Sequence, residues 1–136
     1  MHYFTKTLLI LTALFPALAA AEIQVEQPVV FATQKAGEPT AVFMRLTNTG
    51  EQAVSLAMAE SAVPSRLELH GMQNGKMLTV TGIDIPPHGS VELKRGGLHI
   101  MVFDSAQALM PDSELPLTLF FDNGEILPVR AKVIAH

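Results

Sequence analysis

Cysteine is absent from the 136 residues of this sequence, and so is tryptophan. The lack of cysteine excludes zinc sites built from thiolates, thiol redox chemistry and the cysteine-ligated copper sites of electron-transfer proteins. Disulfides cannot stabilise the fold either, so its stability has to come from packing. With 9 basic against 13 acidic residues and no basic cluster, we expect no nucleic-acid partner.

Catalytic sequence motifs are also missing. The chain has no nucleophile elbow, no HExxH zinc motif and no glycine-rich phosphate loop. Glu68 and Asp104 are isolated carboxylates, and isolated carboxylates normally lie in solvent without a catalytic role. The sequence therefore predicts a protein that is not an enzyme.

The first 21 residues have the layout of a secretory signal peptide. Lys6 precedes an apolar run, Leu8–Leu18, which is followed by small residues. The run is too short for a membrane span, and no cationic stop follows it. We expect cleavage after Ala19 or Ala21 and export to the periplasm. The mature chain, residues 22–136, is then expected to be one domain that is monomeric and does not insert into the membrane.

The rest of the chain alternates short β-type segments with turn signals such as Asn-Gly and Gly-Gly, which is typical of an all-β sandwich or barrel. One short segment, Ser105–Met110, has a helical pattern. The predicted strands are Ile23–Phe31, Ala41–Asn48, Val54–Ala59, Arg66–Met72, Met77–Thr81, Ser90–Leu93, Leu98–Phe103, Leu115–Phe121 and Ile126–Val133.

The segment HGMQNGKM, His70 to Met77, has the sequence of a tight β-hairpin. Asn74 and Gly75 suit a type I′ turn, because both central residues of that turn need positive φ. Such a turn pairs Met72 with Met77 and places His70 two rungs further back. Alternation then puts these three side chains on one face. The apolar residues Leu69, Leu78 and Val80 alternate with them and lie on the opposite face, which predicts that the face with histidine and methionine points away from the core.

A second His-x-Met pair, His99 and Met101, lies on a later predicted strand. Leu98, Ile100 and Val102 form the apolar face of that strand, so His99 and Met101 share the opposite face. If the two strands are neighbours, two imidazoles and up to three thioethers meet in one patch. These ligands favour Cu(I) over zinc, whereas calcium and magnesium prefer oxygen.

An alternative interpretation needs no metal. A single methionine in a small β-domain usually fills the core, and a lone surface histidine is usually only solvated. His88, in a turn, and His136, at the C-terminus, fit that description. On this interpretation the chain is an exported β-sandwich for binding or assembly, and its methionine and histidine face is a contact patch. Spacing alone leaves both interpretations open.

The segment from Arg66 to Asp104 resembles the periplasmic copper chaperones of the PCu(A)C family. It shares with them the stretches LELH, GIDIPPHGSVELKRGG and LHIM. It also matches the family's metal motif, in which a methionine, 21 further residues and His-x-Met follow one another; here these are Met77, Leu78–Leu98 and His99-Ile100-Met101. The likeness extends more weakly over AVFMRLTNTG and LPLTLFFDNG.

The resemblance implies a cupredoxin-like, Greek-key β-sandwich that binds Cu(I), and it leaves Cu(II) binding open. It implies a metallochaperone whose acceptor is a copper protein, either a subunit with the dinuclear copper centre of a respiratory oxidase or another chaperone. The hairpin is shorter than in the family, whose motif usually has a longer stretch between its first histidine and its first methionine. Here only six residues separate His70 from Met77. Met72, opposite Met77, is therefore a further candidate ligand. The ligands that the resemblance itself implies are His70, Met77, His99 and Met101.

Overall fold

The computed structural model describes residues 22–136, and the predicted signal peptide over residues 1–21 lies outside them. The described chain forms ten β-strands, and none of it is a helix long and apolar enough to cross a membrane. The strands are β1 (Ile23–Phe31), β2 (Thr40–Asn48), β3 (Val54–Ser61), β4 (Arg66–Gln73), β5 (Lys76–Thr79), β6 (Ile83–Ile85), β7 (Ser90–Leu93), β8 (His99–Phe103), β9 (Glu114–Phe121) and β10 (Ile126–Ile134).

Hydrogen bonds join the strands in the order β5-β4-β8-β2-β1-β10-β9-β3-β6. β7 pairs with β2 as well, along residues 44–47, while β8 pairs with residues 40–42 of the same strand. β1 pairs antiparallel with β2 and parallel with β10, and its register shifts between Glu26 and Val29. Pro28, which has no N–H to donate, lies at this irregularity. β1 thus connects two halves of the ladder, which enclose one core as a β-sandwich.

The core follows the alternation of the sequence. On β2, the side chains of Val42, Met44 and Leu46 are buried, as their spacing predicts. On β9, Leu117 and Leu119 are buried in the same core cluster. Burial of apolar surface contributes roughly 25 cal/mol per Å², and it stabilises a chain that has no disulfide to help it. The predicted all-β sandwich is confirmed.

Two local predictions are wrong. Ser105–Met110 is not helical, because backbone groups in this segment find partners elsewhere: the Leu109 N–H donates to Oγ1 of Thr33 at 2.8 Å, and the Leu109 carbonyl accepts from the Thr33 N–H. The short strand β6 is missing from the predicted strands. It forms because β3 pairs with it, and Ile83 and Ile85 both lie in the core.

Candidate metal centre

β4 and β5 form the hairpin that the sequence predicts. Asn74 and Gly75 have φ angles of 52° and 74°, the positive values that a type I′ turn requires. Across this turn Met72 pairs with Met77, as expected. Directly opposed residues in an antiparallel ribbon place their Cβ atoms roughly 5 Å apart. The two thioethers therefore leave the same face of the hairpin side by side.

β8 pairs with the other edge of β4 and brings the second His-x-Met pair alongside the hairpin. His70 lies directly opposite His99, and Glu68 lies opposite Met101. The centroids of the two imidazole rings are 5.7 Å apart. The two candidate strands are thus neighbours. The register places all five candidate ligands on one face of β5, β4 and β8.

Imidazoles and thioethers on this face differ sharply in their exposure. Met72 and Met77 are 38% and 51% exposed, as a face turned to solvent predicts. His70 and His99, by contrast, are only 7% and 4% exposed. The histidines lie on the face opposite the apolar side chains of β8, as predicted, but they are buried there, which the sequence pattern does not predict.

Aromatic side chains cover the two imidazoles from the flanking positions of the sheet. The ring of Phe103 lies 5.8 Å from that of His70, and the ring of Phe43 lies 6.3 Å from that of His99, measured between centroids. Ile100, between the two ligand positions of β8, is fully buried in the core. A second layer of side chains on the outer face, and not the core itself, removes the histidines from solvent.

The backbone orients the imidazole of His99. Its Nδ1–H donates to the carbonyl oxygen of Gly97 at 2.8 Å. A carbonyl oxygen only accepts, so Nδ1 carries the proton and Nε2 keeps its lone pair. Metal-binding histidines are usually held in this way, with the nitrogen away from the ion donating to a carbonyl or a carboxylate. Nε2 of His99 is therefore the atom available to a metal.

One ring nitrogen of His70 is paired with a carboxylate, where His99 is paired with a backbone carbonyl. Nε2 of His70 lies 2.8 Å from Oε2 of Glu68. Its Nδ1 is buried and has no hydrogen-bond partner, and no other buried side-chain N or O atom of residues 22–136 is in that state. An unpaired buried polar atom costs about 1–3 kcal/mol. This nitrogen therefore fits the role of a metal ligand, because a bound metal ion would give it the partner that it lacks.

A cavity of about 450 Å³ opens beside the site. Met77, His99 and Met101 line it, whereas His70 and Met72 are not part of its walls. Met72 instead lines a separate groove on the hairpin. The other side chains of the cavity wall include Phe31, Phe43, Arg95 and His136. Met77, and not Met72, thus shares a cavity with the His-x-Met pair of β8.

The donor set favours a soft ion. Residues 22–136 contain no group of three or more histidine, aspartate or glutamate side chains able to hold a metal. A metal bound at this face would therefore need thioether sulfur as a ligand. Thioethers suit Cu(I), whereas zinc uses histidine, cysteine and carboxylate ligands and calcium uses oxygen.

Comparison with known proteins identifies the family. Residues 23–133 match the family described as "Putative lipoprotein LpqE-like". The chain belongs to this LpqE-like family. A relative, "Putative lipoprotein Lxx21020" of Leifsonia xyli subsp. xyli, is 31% identical over 103 residues, which are 69% of this chain. The chain spans about 60% of the length of that curated relative.

Solved structures that resemble this LpqE-like chain include copper-binding domains. The copper-bound PCuAC domain from PmoF2 has a TM-score of 0.75 at 21% identity, covering 87% of this chain and 97% of that domain. CuI-DR1885 from Deinococcus radiodurans has a TM-score of 0.66 at 25% identity, covering 88% of this chain and 84% of that protein. The predicted cupredoxin-like fold and the resemblance to the PCu(A)C family are confirmed. The fold of this chain is thus that of the copper-binding PCuAC domains.

The prediction that Glu68 is an isolated carboxylate in solvent is wrong, because this side chain contacts His70 and is only 31% exposed. The available signal is its spacing, because Glu-x-His on a strand puts both side chains on one face. The hydrogen bond from His70 lowers the pKa of Glu68 below its usual range; the Arg66 charge adds to this effect, and partial burial opposes it. Asp104, the other carboxylate near the site, is 75% exposed and lies 3.6 Å from the Arg66 side chain.

Two further histidines lie outside the ligand set. His88 is exposed and pairs with Glu51, Nε2 to Oε1, at 3.1 Å, as a solvated histidine would. His136 is exposed too, but it does not lie free in solvent. Its ring packs against Phe31 with the centroids 4.6 Å apart. It thereby forms part of the cavity wall beside the candidate ligands.

Proposed function

We propose that this LpqE-like protein is a Cu(I)-binding metallochaperone and has no catalytic activity of its own. The pairing of β4 with β8 carries the proposal, because it opposes two buried imidazoles whose centroids are 5.7 Å apart. Metal–nitrogen bonds are about 2 Å long, so one ion between two opposed rings can be reached by a nitrogen of each. The proposed ligands are His70, Met77, His99 and Met101, with Met72 in reserve.

The chemistry of the ligands supports copper as the cargo. Imidazole and thioether are neutral, and both suit the soft Cu(I) ion. The two similar structures described above are a copper-bound domain and a CuI protein. In an oxidising compartment, thiolate ligands would be prone to disulfide formation, and this chain has none. A Met and His site therefore keeps its ligands where a thiolate site would lose them.

The cavity supports release of the ion by stepwise ligand exchange. Met77 and Met101 line the cavity, so a ligand of the acceptor protein approaches from their side. Met77 is half exposed and sits on a short hairpin, so its sulfur can leave the ion without disturbing the core. His70 lies outside the cavity wall and is the last ligand to be released. The ion then passes to the acceptor without becoming free.

The chaperone role includes export and an acceptor. The LpqE-like family is one of lipoproteins by its description, which supports an exported protein acting in the periplasm. The resemblance to PCu(A)C chaperones points to the dinuclear copper centre of a respiratory oxidase as the acceptor, directly or through another chaperone. We expect the chain to act as a monomer.

A metal titration tests the proposal. We expect the protein, under anaerobic and reducing conditions, to bind one equivalent of Cu(I) against a competing chelator. Ag(I) should behave similarly, and Zn²⁺ should bind far more weakly, because thioethers suit soft ions. Zn²⁺ binding as tight as that of Cu(I) would remove the thioethers from the ligand set. Failure to bind any of these ions would favour a metal-free binding module.

Methionine pairs provide a matched control. Leucine has nearly the volume of methionine but no sulfur. The double variant Met77→Leu/Met101→Leu should lose most Cu(I) affinity. The double variant Met58→Leu/Met110→Leu removes the same number of thioethers from exposed positions outside the cavity, and it should bind as the wild type does. Equal losses in both variants would show that sulfur content, and not this site, governs binding.

A transfer assay tests the acceptor. Cu(I)-loaded protein is mixed anaerobically with a copper-free soluble domain that carries a dinuclear copper site, and the absorption of the assembled centre is followed. We expect the centre to form faster than with an equal amount of Cu(I) held by a small chelator. Equal rates would contradict delivery by this chain, even if its copper binding is sound.

A further inference from the structure

His70 belongs to a row of side chains on the outer face of the sheet, and this row also includes residues that are not proposed ligands. Arg66, Glu68 and His70 occupy alternate positions of β4 and so share the outer face of the sheet. The register on β8 continues the row, since the residues directly opposite these three are Phe103, Met101 and His99. The row therefore contains three proposed ligands, the opposed His70 and His99 and the adjacent Met101, together with a carboxylate and a guanidinium.

The carboxylate of Glu68 determines which nitrogen of His70 carries the proton. The other oxygen of the Glu68 carboxyl group contacts the Arg66 guanidinium, and this ion pair holds the group as a carboxylate. An ionised carboxylate only accepts hydrogen bonds. The 2.8 Å contact therefore requires a proton on Nε2 of His70, and the neutral ring then has its lone pair on Nδ1. That is the atom which is buried without a partner.

Arg66 restrains the carboxylate from the other side. One guanidinium nitrogen contacts Oε1 of Glu68, and Nε lies 3.6 Å from Oδ2 of Asp104. The guanidinium also lies 4.5 Å from the centroid of the Phe103 ring, and that ring packs against His70. Stacking on an aromatic face and pairing with carboxylates suit the planar guanidinium. Each oxygen of Glu68 thus has its own partner, which limits rotation of the carboxylate.

We propose that Glu68 is a positioning residue that holds His70 in the Nε2–H tautomer and thereby presents Nδ1 to copper, and that Arg66 keeps the Glu68 carboxylate in place. The proposal rests on the copper-binding function proposed above. It means that the two histidines bind through different nitrogens, Nδ1 of His70 and Nε2 of His99. A carboxylate behind a metal-binding imidazole also makes the ring a stronger donor.

A second Glu–His pair in the same chain serves as an internal reference. His88 and Glu51 make a similar contact at 3.1 Å, but their side chains are 58% and 89% exposed. Both nitrogens of His88 can therefore exchange protons with water. The side chains of His70 and Glu68 are 9% and 31% exposed. Burial, and not the pair alone, is what makes the tautomer of His70 specific.

Nitrogen-15 NMR of the metal-free protein tests the tautomer without any mutation. We expect the ring nitrogens of His70 to show protonated Nε2 and unprotonated Nδ1. His99 should show the reverse, because its Nδ1–H donates to a carbonyl. His88 should show averaged signals. A protonated Nδ1 on His70 would overturn the proposal, whatever the affinity for copper.

Substitution of Glu68 tests the consequence for binding. Glu68→Leu removes the acceptor and should weaken Cu(I) binding about ten- to a hundredfold, the usual effect of losing such a partner. Its His70 signals should show a mixture of tautomers. Glu68→Gln keeps an acceptor without the charge and should be intermediate in affinity. Arg66→Leu should cause a smaller loss than Glu68→Leu, because the hydrogen bond to His70 remains.

A matched control separates positioning from general charge effects. Glu26 is also a strand carboxylate paired with an arginine, Arg45 at 3.9 Å, but its pairing involves no histidine. Glu26→Leu should leave both affinity and tautomer unchanged. Unchanged Cu(I) affinity in Glu68→Leu would overturn this inference alone. Failure of the wild type to bind Cu(I) would overturn the proposed function and the role of Nδ1 with it.

Discussion

The inner and outer halves of the proposed copper site share one face of the sheet but are built differently. The inner half consists of His70 and His99, which are buried, directly paired across β4 and β8, and each oriented by a hydrogen bond. The outer half consists of Met72 and Met77 on the hairpin, which are exposed. Among the described side-chain hydrogen bonds, none orients these two sulfurs.

This difference separates retention of the ion from its release. A buried ring, held at one nitrogen, loses little further freedom when the other nitrogen binds a metal, so the inner half is preorganised. A methionine side chain has three rotatable bonds and adapts to irregular surroundings. The exposed thioethers can therefore leave the ion one at a time. A chaperone needs both properties, and here separate strand pairs provide them.

The largest effect is expected from the inner half. His70→Ala with His99→Ala should weaken Cu(I) binding about a thousandfold, or about 4 kcal/mol. The same variant should lose about 2–5 kcal/mol of metal-free stability, since two buried side chains leave cavities. Competition titration and denaturant unfolding measure the two losses. His88→Ala, at an exposed position, should change neither. Lower stability with unchanged affinity would give the inner pair a purely structural role.

The outer half should respond in affinity alone. Met77→Leu should weaken Cu(I) binding about tenfold, which is about 1.4 kcal/mol, and Met72→Leu should cost less. Neither change should alter metal-free stability by more than about 0.5 kcal/mol, because both side chains are exposed. A larger loss from Met72→Leu would show that the short hairpin has moved the ligand. If only the double variant fails, the two thioethers substitute for each other.

Oxidation by hydrogen peroxide provides a comparison within one sample. Exposed methionines oxidise most readily, so Met58, Met77 and Met110 should all form sulfoxides in the metal-free protein. Loading with Ag(I), the soft mimic of Cu(I) that does not reduce peroxide, followed by a short peroxide pulse, should protect Met77 and leave the other two unprotected. Peptide mass spectrometry measures each site. Equal protection of Met110 would mean that the metal acts on the whole protein and not through a ligand.

The smallest effect concerns the turn that aligns the two hairpin methionines. Gly75 has a φ of 74°, so Gly75→Ala should cost about 1 kcal/mol of stability through the left-handed backbone. It should also weaken Cu(I) binding slightly. Gly124, with a φ of 87°, lies in a turn away from the site, and an added Cβ meets nothing within 4 Å at either glycine. Gly124→Ala should cost similar stability without any change in affinity.

Local interactions explain which parts of the site were predictable. The type I′ turn at Asn74-Gly75 determines the hairpin register over a few residues, so the pairing of Met72 with Met77 follows from sequence. Alternation along one strand likewise predicts that His99 and Met101 share a face. Neither rule depends on contacts between distant segments. The same rules predict most strand positions, but not β6, because three residues carry too little pattern.

The sequence by itself determined the all-β class, the hairpin register and a set of soft, thiol-free ligands, because these depend on composition, turn chemistry and a period of two. Only the tertiary structure decided that β4 and β8 are neighbours in a register that opposes His70 and His99. It also decided that Phe43 and Phe103 bury the imidazoles and that Glu68 takes one nitrogen of His70. Burial and pairing between distant strands arise from how the whole sheet packs, which no single segment encodes.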